Sequence, residues 1–256
     1  MQTAKQKLKR AAPWLFLLLV LAGLAAVRGL AANYEIGYEI MNGDFQNYNP
    51  VRHLLAGQIP YRDFTVYLGA GELYSVGGLL LVLGNSFGRS MFATNFCTWF
   101  YFELLVLAVC LVVIGTARAA RAAALALCSV FFAYVQGANL PFAGQVNTLL
   151  SYAAANGNSA RMMRSAALTL AVLVILLGLH FWQQDTSRRL LAPAVLVPFA
   201  AGFFVPWSND MGGAAYISIA LGYGLYLIRL YRSSIGKIVV QTLRYIVTSV
   251  VGLGVS

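Results

Sequence analysis

Long apolar runs recur along this chain, and they limit its fold more than any other feature. Runs at residues 13–30, 91–116, 122–142, 165–182, 190–207 and 213–230 each approach the roughly 20 residues that a helix needs to cross a bilayer's hydrocarbon. With 60% of its 256 residues hydrophobic, only 10% charged and a mean hydropathy of +0.72, a soluble monomer could not hide its apolar surface. The fold expected is an all-α polytopic membrane protein with about six or seven transmembrane helices.

Charge sets the expected sidedness. Eighteen Lys and Arg against eight Asp and Glu give a net charge of +10. In a soluble chain that excess would suggest nucleic acid, but here the basic residues sit between apolar runs, as the positive-inside rule requires, and no nucleic-acid partner is expected. Lys5, Lys7, Lys9 and Arg10 precede the first run, so the N-terminus is expected in the cytoplasm. Arg118 and Arg121, then Arg188 and Arg189, then Arg229, Arg232, Lys237 and Arg244 fall on alternate connections and belong to the same side. Small residues at 29–32 offer a signal-peptide cleavage site. The run ahead of them exceeds a usual signal core and Arg28 interrupts the cleavage zone, so an uncleaved anchor is the reading adopted. The apolar stretch 70–84 is short and carries Gly71, Gly77 and Gly78. Were it to cross, Arg118 and Arg121 would lie outside, so it is read as an interfacial or re-entrant helix. No repeat or linker divides the chain, which is expected to form one membrane domain over residues 1–256. The last apolar run begins at Tyr245 and reaches Ser256 at about half a crossing, so the sequence reads as the N-terminal part of something longer.

Three segments fall on the outer side: 31–90, 143–164 and 206–212. The first holds five of the eight acidic residues, Glu35, Glu39, Asp44, Asp63 and Glu72. Within it Phe45, Tyr48, Val51 and Leu55 recur at three- and four-residue spacing, predicting a short amphipathic helix at the membrane surface with Asp44 near its start and Gly57 at its end. Pro50 either bends that helix or, with Asn49 as cap, restarts it and separates Asp44 from it. Glu103 lies in the middle of run 91–116. An intramembrane carboxylate is a functional candidate by default, yet Asn95, Thr98 and Tyr101 nearby favour a role as interhelical glue. Cys97, Cys110 and Cys128 lie in apolar stretches without metal-ligand or disulfide spacing and read as packing residues. No DxD pair marks a metal site, so no cofactor is expected, with a divalent cation left open. Motifs for nucleotide chemistry are absent.

The segment Gly43-Asp44-Phe45, the helix closing in Leu54-Leu-Ala-Gly57, then Pro60-Tyr-Arg-Asp63-Phe64 and Leu83-Gly84-Asn-Ser86 together resemble the start of bacterial GT-C fold membrane glycosyltransferases, over roughly residues 31 to 90. The resemblance implies transfer of a hexosyl or pentosyl group from a polyprenyl-phosphate carrier to an extracytoplasmic acceptor at the bacterial cell membrane. It also implies that Asp44 is the general base, and that Arg52, His53, Tyr61, Arg62, Asp63, Arg161, Arg164 and Asp210 contact substrate. The chemistry needs a base for the acceptor hydroxyl and cations for the departing phosphate. The four arginines suit bidentate phosphate contact and lie on the side where positive-inside does not put them. Interfacial snorkelling against lipid headgroups is the alternative for each. A turn role is the competing reading for Asp63 and Asp210, and a surface role for His53. Two other functions stand beside the enzyme: a transporter, suggested by Glu103, Pro193 and Pro198, and a non-catalytic subunit that completes a cell-envelope site with a second membrane protein.

Overall fold

The computed structural model describes residues 4–34, 42–135, 195–209 and 211–255, and these are helical with no strand among them. In chain order the helices are α1 (Ala4–Tyr34), α2 (Asn42–Leu55), α3 (Ala70–Leu83), α4 (Phe87–Ile114), α5 (Ala119–Val135), α6 (Val197–Phe203), α7 (Gly212–Leu230) and α8 (Ile235–Val255). A 3-10 turn, Thr116–Arg118, joins α4 to α5. Among the described residues four stretches are long and apolar enough to cross a membrane: Ala12–Leu30, Phe87–Ile114, Gly212–Leu230 and Ile235–Val255. The protein is a helical membrane protein, and its outward surface fits that solvent. Phe16, Leu19, Val240 and Val247 are each more than 60% exposed, a pattern that would drive aggregation in water and is neutral in lipid.

Three apolar clusters hold the described helices together. Leu17 and Leu21 of α1 meet Leu107 and Cys110 of α4 and Ala122 and Ala126 of α5. Val51 of α2 and Leu73, Val76 and Leu80 of α3 close on Ala93 and Cys97 of α4. Val197 and Ala201 of α6 pack with Tyr223 and Leu227 of α7 and Tyr245 of α8. Helix α4 is the common wall of the first two clusters, and its buried face also carries the polar Ser90, Thr94, Asn95 and Thr98.

Several expected boundaries move. Run 190–207 does not stay helical to Trp207: α6 stops at Phe203 and a turn follows, because Pro206 disfavours helical backbone at the residue before it. The last helix begins at Ile235, ten residues ahead of Tyr245, with Lys237 and Arg244 inside it. Pro50 neither ends nor restarts α2, which continues from Asn42 to Leu55 with the proline inside. The other runs shift at their ends: α4 starts at Phe87, and α5 starts at Ala119 with the described part of its run ending at Val135. Helix α3 measures about 21 Å along its axis, short of the ~30 Å hydrocarbon core. Run 165–182 lies outside the described residues.

Candidate functional site

The described part of the predicted first segment, from Asn42 on, closes on one apolar cluster. Asp44 lies in the first turn of α2, one helical turn before Asn47 and two before Val51. Val51 is fully buried and Tyr48 and Leu55 pack on the same cluster, as the spacing implies. Phe45 does not follow them: it is 57% exposed and stacks on Phe87 at 4.7 Å. Helix α2 stops at Leu55, with the Gly57 N–H bonded to the Leu54 carbonyl at 3.0 Å.

Beyond Gly57 the chain makes a tight turn through Ile59 to Phe64. Asp63 is its organiser. Its Oδ2 accepts from the Ile59 N–H at 2.8 Å, and its carboxylate also takes Nε and Nη2 of Arg62, each at 2.8 Å. The backbone closes the turn with the Tyr61 N–H on the Phe64 carbonyl at 2.9 Å, and Tyr61 sits at φ 63°. The turn reading of Asp63 therefore holds, and its carboxylate also holds Arg62. Arg62 and the Ile59 N–H hold the Asp63 carboxyl below the usual carboxylate range, and the same bond raises Arg62. A group whose folded pKa is depressed stabilises above its unfolded value, so protection of the turn is complete above about pH 5 and decays as pH falls through the depressed pKa, below about 3.9. Amide exchange at Tyr61 and Asp63, corrected for intrinsic rate, follows that curve; in Asp63→Asn the protection is low and flat with pH. The pair is solvent-exposed, so the effect stays local.

His53 bonds Gln58 through Nδ1 and stacks on Phe64 at 5.2 Å. Arg52 lies with its guanidinium 5.8 Å from the Tyr48 ring. Among the predicted substrate contacts, His53, Tyr61, Arg62 and Asp63 thus gather on this turn, with Arg52 beside it on the last turn of α2. Glu103 stands apart in α4, fully buried, and Arg161, Arg164 and Asp210 lie outside the described residues.

The residues that join this unit to the rest are ones the sequence reading passed over. Asn209 is a latch: its Nδ2 donates to the Val66 carbonyl at 2.7 Å and the Tyr67 carbonyl at 2.9 Å, and its Oδ1 accepts from the Tyr61 hydroxyl at 3.4 Å. Beside it the Pro206 and Trp207 carbonyls accept from the Ala70 and Gly71 N–H groups at 2.9 and 3.1 Å, satisfying donors that open the first turn of α3 and have no partner within the helix. This approach explains Gly69-Ala-Gly71: a Cβ on Gly69 would meet the Trp207 carbonyl at 2.5 Å, and one on Gly71 the Trp207 ring at 2.1 Å. Asn209→Ala removes three hydrogen bonds at once, and at about 1 kcal/mol each the amides of residues 66–71 exchange roughly a hundredfold faster, measured in detergent micelles.

Below the latch, Gln46, Asn47 and Pro50 of α2 and Gly69, Glu72 and Leu73 line a recess with Val66 and Leu68, about 200 Å³ including the part open to solvent. Glu72 and Asn47 are each only 3% exposed. Pro50 has no N–H to give to the Gln46 carbonyl, which leaves that acceptor outside the helix ladder. A buried carboxylate, a buried amide and a freed carbonyl thus belong to residues sharing one small wall. Glu72 was visible in sequence as one acid of five; its burial was not. No group of three or more His, Cys, Asp or Glu side chains is placed to hold a metal among the described residues.

No family model matches the chain, and neither the curated proteins nor the solved structures contain a match to it.

Proposed function

We propose that the protein is an integral membrane glycosyltransferase that moves a sugar from a polyprenyl-phosphate carrier to an extracytoplasmic acceptor, with Asp44 as general base. The observation that carries this reading is the continuity of α2 through Pro50. Asp44, on which the resemblance puts the base, and Arg52 and His53, on which it puts phosphate contacts, belong to one helix, and that helix walls a recess containing the buried Glu72. On this reading the acceptor hydroxyl gives its proton to Asp44 as it attacks C1 of the sugar, and the phosphate leaves toward the arginines of the α2 end. The segment 42–86 then faces the outside and the N-terminus the cytoplasm, in a bacterial plasma membrane. On this reading specificity for the sugar is assigned to the turn that Asn209 holds through Tyr61.

The test is the full chain in vesicles carrying a labelled polyprenyl-phosphate sugar. Labelled product, or free sugar released to water, that depends on Asp44 supports the reading; its absence with each hexosyl and pentosyl donor supplied overturns it. A second reading, a transporter, draws on Glu103, which is fully buried within a candidate span. An intramembrane carboxylate marks proton or substrate pathways in such proteins. It predicts that Glu103→Gln stops substrate movement while Asp44→Asn does not.

A further inference from the structure

From Met211 to Ser256 the chain has four basic residues, Arg229, Arg232, Lys237 and Arg244, and no acidic one. All four are exposed. Arg229 lies in the last turn of α7 and Arg232 in the connection to α8. Lys237 lies near the start of α8 with its Nζ 5.9 Å from the Tyr231 ring. Lys237, Gln241, Arg244 and Thr248 recur at spacings of four and three, which puts them on one stripe of α8. That stripe is not the face buried against α6, which is carried by Tyr245, Ser249 and Gly252. On one side of it Val240, Leu243 and Val247 are exposed and on the other lies the buried face, so the stripe is a polar line at the edge of a lipid-facing surface.

Arg244 is the residue that needs an explanation. It stands nine positions after Ile235 in a candidate span, which is about 14 Å along the axis. If Ile235 marks the edge of the ~30 Å hydrocarbon, the Arg244 backbone is close to its middle. A guanidinium there is unfavourable unless it reaches an anion or the headgroup level. Helical side chains lean toward the N-terminus, here toward Lys237 and the connecting turn. No carboxylate of the hairpin is available to meet it, and among the described residues the ion pair found is Arg62–Asp63, in another part of the fold.

We infer that the α7–α8 hairpin is a binding site for an anionic phospholipid, its phosphate held between Arg244 and Lys237 with Arg229 and Arg232 at the rim. The lipid's acyl chains lie along the exposed valines of α8. Arg244 suits the bidentate phosphate contact and Lys237 the point-charge contact. The site is independent of the glycosyl-transfer reading and of which side of the membrane the hairpin faces.

The full chain, purified in detergent and exchanged into mixed phosphatidylcholine and phosphatidylglycerol, is examined by native mass spectrometry. Phosphatidylglycerol is retained preferentially, and retention falls roughly fivefold for each charge removed in Lys237→Gln and Arg244→Gln, with Arg244→Lys intermediate. Inorganic phosphate at matching concentration does not displace it. Equal retention of the two lipids, or full displacement by inorganic phosphate, overturns the inference. So does unchanged retention in the variants, including a case where a tightly bound protein partner replaces lipid on the hairpin. Because Arg244→Gln alters a membrane helix, the Arg232→Gln/Lys237→Gln double variant, confined to the exposed turn and helix start, supplies the same reading without it.

Discussion

Replacing Asp44 with asparagine lowers sugar transfer by about 10²–10⁴-fold, the usual effect of losing a general base, while the protein stays in the membrane at its normal level. Asparagine matches aspartate in shape and can still accept a hydrogen bond, but it takes no proton from the acceptor hydroxyl. The deficit therefore falls on kcat, with KM for the lipid-linked donor little changed. The companion variant is Glu72→Gln, on the neighbouring wall of the recess. If transfer collapses in Glu72→Gln and survives in Asp44→Asn, the base is Glu72. If both variants retain transfer at the wild-type rate, neither carboxylate is the base and the proposed mechanism fails. If transfer is absent throughout and Glu103→Gln alone abolishes substrate movement, the protein is a transporter.

The sequence carries the membrane helices well and the contacts between distant segments poorly, for physical reasons. A crossing of about 20 residues leaves a long apolar run that local composition reveals, so the spans 12–30, 87–114 and 212–230 were recognisable to within a few residues. Arg244 hides the start of α8, because a charge reads as an end of an apolar run whereas the helix begins nine residues earlier, at Ile235. The face of α2 was readable because Tyr48, Val51 and Leu55 all contribute to one cluster. Phe45 escaped the pattern because, near the start of the helix, its partner is the Phe87 ring. The Asn209 latch joins residues 142 to 148 positions apart, and no periodicity encodes a contact at that separation. Its only sequence trace is indirect: two glycines around Ala70, whose missing side chains leave room for the Trp207 backbone and ring. Burial of Glu72, which lines one recess with Gln46 and Asn47 of α2, is likewise a contact between elements that no periodicity encodes.

Gly202→Val separates α6 from α8 and, through the turn that follows α6, loosens the candidate site. The two helices cross backbone to backbone. A Cβ on Gly202 would lie 1.9 Å from the Ser249 carbonyl oxygen, and one on Gly252 would lie 2.2 Å from that of Phe199. Small residues that let helices approach this closely are the usual glue between helices in lipid, where no hydrophobic force draws helices together. The obstructing atoms are main chain on both sides, so rotamer changes cannot relieve the clash and a helix has to move. Overpacking of this kind costs about 3 kcal/mol or more, expected as a clear fall in the thermal midpoint in detergent. The consequence reaches further than stability, because Phe203 is the last residue of α6 and Pro206, Trp207 and Asn209 follow directly. Displacing α6 pulls those carbonyls from the Ala70 and Gly71 N–H groups and draws the Asn209 amide off Val66 and Tyr67. Gly202→Val therefore reproduces the rapid amide exchange at residues 66–71 expected for Asn209→Ala, although Gly202 touches none of them. Gly254→Val is the control on α8, since nothing lies within 4 Å of a Cβ there, and it leaves both the midpoint and the exchange unchanged. Normal exchange at 66–71 in a destabilised Gly202→Val protein would uncouple the crossing from the latch and confine its role to holding α6 against α8.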